Sequence, residues 1–229
     1  MWVLNFLTSS LGKKLIMSLT GLFLIVFLLV HLVGNLQLLI SDGGVTFNIY
    51  AHFMVTNPVI KTLSYGLYTF ILLHIVQGIV IWLSNKGAKQ SKYAVPSKNT
   101  SWASKNMANL GIIITVFLFI HLWQFWLKNK LGVIPPVIIE GQEYKDFYVI
   151  VNNAYQNIFY VVFYVLSMVV IGLHLSHGFQ SAFQTLGLNH KKYTPIIKGL
   201  GTGYSILVCL LYTSPSPRDA TLSRMPSSA

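Results

Sequence analysis

Leu15-IMSLTGLFLIVFLLVHLVGNLQLL-Ile40 is an unbroken apolar stretch with no charged side chain and a single histidine, His31. As a helix it is long enough to cross a hydrocarbon core of about 30 Å, which takes around 20 residues. Working outward from it, three stretches of the same kind run roughly Val59 to Leu83, Met107 to Leu127 and Gln156 to Phe183, and a fifth begins near Ile196. The 229 residues are 54% hydrophobic and only 9% charged, against about 25% charged in ordinary soluble domains. The sequence therefore predicts an all-α fold, a polytopic membrane helix bundle of five transmembrane helices.

The net charge of +11 raises the question of nucleic acid, but the lysines mark one side of a membrane and are not gathered into a patch. Lys13 and Lys14 precede the first span; Lys86, Lys89, Lys92, Lys98 and Lys105 fill the second connection; His190, Lys191, Lys192 and Lys198 fill the fourth. The first connection offers Asp42 before Lys61, and the third balances Lys128, Lys130 and Lys145 against Glu140, Glu143 and Asp146. The positive-inside rule puts the N-terminus in the cytoplasm. The first apolar run is too long for a signal-peptide core, so it reads as a retained span. Met1 to Ser10 reads as a short amphipathic lead at the interface, and Trp102, Trp123 and Trp126 near span ends fit an aromatic belt.

Composition breaks near the C-terminus. Residues 1–208 hold 14 lysines and no arginine, whereas the last 21 residues hold both arginines and no lysine. The string from Cys209 through Ser214-Pro-Ser-Pro-Arg-Asp219 resembles a translated sequencing adapter. The expected division is a single transmembrane domain over 1–208, with its fifth span truncated near Val208, and a non-native tail over 209–229. Cys209 is the only cysteine, so iron–sulfur and thiolate zinc chemistry is not expected of this chain.

Four histidines, His31, His74, His121 and His174, fall one apiece in the first four spans. A polar ring in hydrocarbon marks a functional position, and neutral imidazole is the common axial ligand of haem iron. His31 lies 17 residues past Lys14 and His121 16 past Lys105, each roughly 25 Å along a helix. His74 lies 12 residues before Lys86 and His174 13 before Gly187, about 18 to 20 Å. This predicts an outer pair, His31 with His121, an inner pair, His74 with His174, and two haem b groups. A lone span histidine would more simply be an interhelical hydrogen-bonding residue; four at matched depths favour ligation. His177 competes with His174 in span four, His52 and His190 are expected to face solvent, and Gly34, Gly78, Gly172 and Gly178 would let a flat macrocycle approach. The run Gly199, Gly201, Gly203 opens a helix rather than following a strand, which argues against a phosphate loop.

Val30-His-Leu-Val-Gly-Asn35, the single His74 and His121, and His174-Leu-Ser-His-Gly-Phe-Gln-Ser-Ala-Phe-Gln-Thr-Leu-Gly187 resemble the cytochrome b membrane-anchor subunit of succinate dehydrogenase and fumarate reductase, in its five-span, dihaem, menaquinone-linked form. The resemblance covers residues 1–208 and implies His74 and His174 as proximal haem ligands and His31 and His121 as distal ones. It also implies FAD-bearing flavoprotein and iron–sulfur subunits on the cytoplasmic side, menaquinone as the quinone substrate, and the bacterial cytoplasmic (inner) membrane. The succinate site would lie on a partner. Some dihaem relatives place a glutamate two residues before the span-four histidine; here that position is Gly172.

For the quinone and its protons the candidates are Asp42, Glu140, Glu143 and Asp146 on the outer side, with Trp123, Gln124 and Gln77 as further polar contacts. Two other classes stay open. One is the haem b subunit of another membrane dehydrogenase, of the formate dehydrogenase or hydrogenase type; the other is a non-redox transporter.

Overall fold

A computed structural model describes residues 2–88 and 101–212; Lys89, Lys92, Lys98 and the expected tail from 213 onward lie outside the described residues. After a short helix α1 (Trp2–Thr8), the long helix α2 (Ser10–Leu36) ends in one tighter turn, Gln37–Leu39. Then come α3 (Val45–Thr56), α4 (Pro58–Ala88), α5 (Trp102–Lys130), strands β1 (Pro136–Ile139) and β2 (Gln142–Lys145), α6 (Phe147–Tyr155), α7 (Ile158–Thr185) and α8 (Thr194–Tyr212). Five of these helices, α2, α4, α5, α7 and α8, are long and apolar enough to cross a membrane. The protein is an all-α, multi-pass membrane helix bundle.

Local chemistry explains the helix starts. Ser9 accepts from the amide of Gly12, Ser101 from that of Ser104, and Asn157 from those of Phe159 and Tyr160, each satisfying amides that the helix itself leaves unpaired. Pro58 opens α4, where its missing N–H costs nothing. Inside the spans, hydroxyls turn back on their own helices: Ser18 to the Lys14 carbonyl, Thr115 to Gly111, Ser167 to Phe163 and Ser205 to Gly201. That self-satisfaction is what hydrocarbon requires of a polar side chain. Leu19, Val26, Leu29 and Val33 of α2 stand exposed, a face that suits lipid and would be anomalous in water.

Helix α7 holds the bundle together, packing on α8, α5 and α2, while α4 leans mainly on α2. The buried cluster is Phe117, Tyr164, Met168, Ile171, Leu175 and Val208. Small residues set the closest approaches. A Cβ on Gly201 would lie 2.9 Å from the Phe179 ring, and one on Gly172 would sit 3.5 Å from Cys209. Backbones without bulky side chains gain contact where no hydrophobic effect drives helices together.

The connections opposite Lys13 and Lys14 form a folded cap that the sequence did not announce. Glu140 and Gly141, at φ 51° and 79°, make the two-residue turn of the β1–β2 hairpin, in which Ile139 faces Gln142. Positive φ at both central residues matches the twist of the strands they join. Asn48 of α3, 2% exposed, donates to Asp146 at 2.9 Å and accepts from the Tyr148 amide at 3.0 Å, tying the first connection to the third.

At the C-terminal end, α8 does not stop at Val208. Cys209 to Tyr212 are apolar enough to continue the helix, and Tyr212 donates to the Leu28 carbonyl at 3.1 Å. Helix α8 therefore runs through Val208 and is 19 residues long.

Candidate functional site

Each span histidine meets one partner, and the partners are the ones depth had matched. The His31 and His121 rings have centroids 5.8 Å apart, and those of His74 and His174 are 6.3 Å apart. The ring that meets His74 is His174 and not its neighbour His177.

The two pairs occupy separate levels. On α2 the inner pair lies beside Thr20 and Gly21 while the outer pair includes His31 itself. Ten residues of helix separate Gly21 from His31, about 15 Å of rise. On α7 the same offset recurs, since Tyr164 touches His121 and His174 touches His74. The separation is larger than counting from the lysines implied. That count used anchors on different helices, and residues along a tilted helix do not convert directly into depth.

Around the inner pair, the decisive residue is Thr20. Its hydroxyl donates to the Ile16 carbonyl at 2.8 Å, with Met17 at 3.2 Å, and its oxygen lies 3.1 Å from Nδ1 of His74. One hydroxyl has one proton. With that proton on the backbone, the Thr20 oxygen is left to accept, an arrangement that suits a His74 protonated on Nδ1 with its lone pair on Nε2. A Cβ on Gly21 would stand 3.4 Å from Cε1 of His74, so α2 lies directly against the imidazole. Nδ1 of His174 and Nε2 of Gln77 are buried without a hydrogen-bond partner.

Aromatic rings enclose the outer pair instead. Phe27 stacks on His31 at 5.4 Å, and Tyr212 approaches it at 5.9 Å. Phe117 and Phe125 flank His121 at 5.7 and 5.2 Å. The Tyr164 hydroxyl is 3.0 Å from His121 Nδ1 and accepts from Tyr160 at 2.8 Å. Immediately after His121 the chain widens into a π-helical segment, Leu122–Leu127, a feature that recurs at functional sites.

These donors fit bis-histidine ligation. Two imidazoles that shared one metal through bonds of about 2.0 Å would have centroids up to roughly 6 Å apart. The Nδ1 contacts of His74 and His121 are of the kind that orient metal-bound histidines. Among the described residues, no three His, Cys, Asp or Glu side chains converge, so the pairs do not extend into a three-ligand non-haem centre.

Other expectations change. Gly34 is filled by the Tyr50 ring, Gly78 by Met17 and Gly172 by α8; Gly178 alone of the four has open space at its Cβ position. Three of these glycines therefore serve helix packing, while Gly21 is the glycine against a histidine. Asp42 accepts from the amides of Gly44 and Thr46 at 2.9 and 2.8 Å, and bonding to Thr46 holds its carboxyl below the usual range. Asp146 caps α6 through the Val149 amide. Both carboxylates thus accept hydrogen bonds that shape the cap. Glu140 is exposed at the hairpin tip, and Glu143 borders a cleft of about 430 Å³ with His52, Lys130 and Tyr144. His52, half-buried against Tyr144, is not simply solvent-facing, whereas His190 is exposed. Trp123 is exposed and touches neither pair through its ring; Gln124 sits in the π-helical segment.

Thr20, Gly21 and Tyr164 were not singled out from sequence. A signal existed for the first: Thr20 lies eleven residues before His31, about three helical turns and hence on the same face. No family model, curated protein or solved structure matches this chain.

Proposed function

We propose that this chain is the membrane-anchor cytochrome b subunit of a succinate:quinone oxidoreductase, working in a bacterial cytoplasmic membrane. The observation that carries the reading is the meeting of four span histidines as two pairs, at 5.8 and 6.3 Å, on two levels of one bundle. His74 and His174 would hold the haem nearer the lysine-rich side, and His31 and His121 the other. Haem, when bound, supplies reversible one-electron transfer between ferric and ferrous iron.

The chain's own residues provide position and surroundings. Thr20 would hold His74 with its proton on Nδ1 and Nε2 free to ligate, and Gly21 leaves space at the imidazole that a side chain longer than alanine would fill. The rings of Phe27, Phe117 and Phe125 exclude water from the outer pair, which strengthens every electrostatic interaction there. The lysine-rich side would face the flavoprotein and iron–sulfur partners, and menaquinone would accept electrons nearer the folded cap. The assignment to the succinate enzyme, over the formate dehydrogenase or hydrogenase type, rests on the span-four motif beginning at His174.

Membranes containing the chain test the reading by a reduced-minus-oxidised spectrum and by haem-to-polypeptide stoichiometry. The expected result is a b-type signal with two haems per chain, reduced by succinate when the partner subunits are present. A stoichiometry near zero removes the redox reading, and reduction by formate or hydrogen but not succinate reassigns the donor.

A further inference from the structure

The outer pair carries a feature the inner pair lacks, a buried phenol on a ligand's second nitrogen with another phenol behind it. Tyr164, 6% exposed, lies 3.0 Å from His121 Nδ1, and its oxygen is 2.8 Å from that of Tyr160 on the preceding turn of α7. Tyr155 stands against both rings, at 5.5 and 5.9 Å, on the cap side.

We propose that Tyr164, backed by Tyr160, is the positioning residue of the outer site: it accepts the Nδ1–H of His121, aims Nε2 at His31 and sets how strongly that imidazole donates to iron. The proposal rests on the haem reading above. A hydroxyl proton rotates to suit its partners. Once His121 uses Nε2 as a ligand, its Nδ1 carries the proton and must donate. The Tyr164 oxygen receives it, and the Tyr164 proton then turns toward Tyr160, the other hydroxyl within reach, which reverses the Tyr160-to-Tyr164 bond of the structure. Tyr160 lies nearer the start of α7 and is less buried than Tyr164. Hydrogen bonds in series polarise one another, so Tyr160 makes Tyr164 the better acceptor and His121 the more electron-rich ligand. An electron-rich axial imidazole stabilises ferric over ferrous iron.

Tyr164→Phe and Tyr160→Phe test this in membranes holding the whole complex, by redox titration of the two haems and by the low-temperature EPR signals of their ferric forms. The outer haem is identified as the one lost in His121→Ala. Tyr164→Phe is expected to raise the outer midpoint potential and shift the outer EPR signal, with the inner haem unmoved; Tyr160→Phe should do the same to a smaller extent. A purely structural tyrosine would lower haem content without moving the potential of the haem that remains. Two haems with an unchanged outer potential in Tyr164→Phe overturn the proposal, as do equal shifts of both haems. If Tyr164→Phe does not accumulate, an unmoved outer potential in Tyr160→Phe overturns it instead. Absence of haem from the wild-type chain is a different result, which defeats the functional reading itself.

Discussion

The inner histidine pair lies against a hydroxyl and a glycine of α2, whereas the outer pair is surrounded by Phe27, Phe117, Phe125, Tyr164 and Tyr212. The same residue type is therefore held in two ways. At the inner level the Thr20 hydroxyl bonds its own backbone carbonyl and leaves its oxygen facing His74 Nδ1. At the outer level the orienting partner is a rotatable phenol on another helix. Each site joins three helices, α2, α4 and α7 at the inner level and α2, α5 and α7 at the outer, so the two differ in the orienting group and not in the number of helices that must meet.

Removing a ligand breaks the comparison most severely. Replacing His74 or His174 with alanine should leave one haem per chain, and so should replacing His31 or His121, measured as haem-to-polypeptide ratio. The variants differ in what succinate does next. The His74→Ala haem should be reduced slowly or not at all by succinate, though dithionite reduces it, while His121→Ala should keep rapid succinate reduction of the inner haem. The opposite pattern would invert the order of the two levels.

Gly21 gives a more local break. Its Cβ position is in ordinary contact with His74 at 3.4 Å, so Gly21→Ala should keep both haems and Gly21→Leu should lose the inner one alone. Haem content with the outer EPR signal intact is the readout. Loss of both signals in Gly21→Leu would point to a general packing role for this glycine.

Thr20→Val keeps the shape of the side chain and removes its acceptor. Such orienting partners are worth about 10–100-fold in metal affinity, so haem titration into the protein should show weakening of that order at the inner site only. Thr20→Ser should restore it.

The smallest effect belongs to the cap over the outer pair. Asp42→Ala removes a helix-start acceptor and should cost about 1 kcal/mol of thermal stability. Because hydrogen bonding holds the folded Asp42 carboxyl below its ordinary value, this contribution is complete above the ordinary aspartate range. It is lost as pH falls through the lowered folded value. Wild type and Asp42→Ala should therefore converge in acid, by melting curves across pH, and a gap persisting there would assign the effect to something other than the charge.

The sequence alone determined five apolar spans, because a 30 Å apolar solvent imposes a length and forbids charge, and those constraints read residue by residue. It also matched His31 with His121 and His74 with His174 by counting helical rise, since residues that meet at one depth need only similar offsets. What it did not contain was contact between helices. Whether Gly172 faces a macrocycle or Cys209, whether Asp42 is free or bound to Gly44 and Thr46, and which hydroxyl meets each imidazole depend on rotation of one helix about its axis relative to another. The cap arose the same way, from Asn48 reaching Asp146 across 98 residues of chain. Tertiary structure decided these because hydrogen bonds and close packing act over a few ångströms, and residues far apart in sequence come within that range only after the helices have packed.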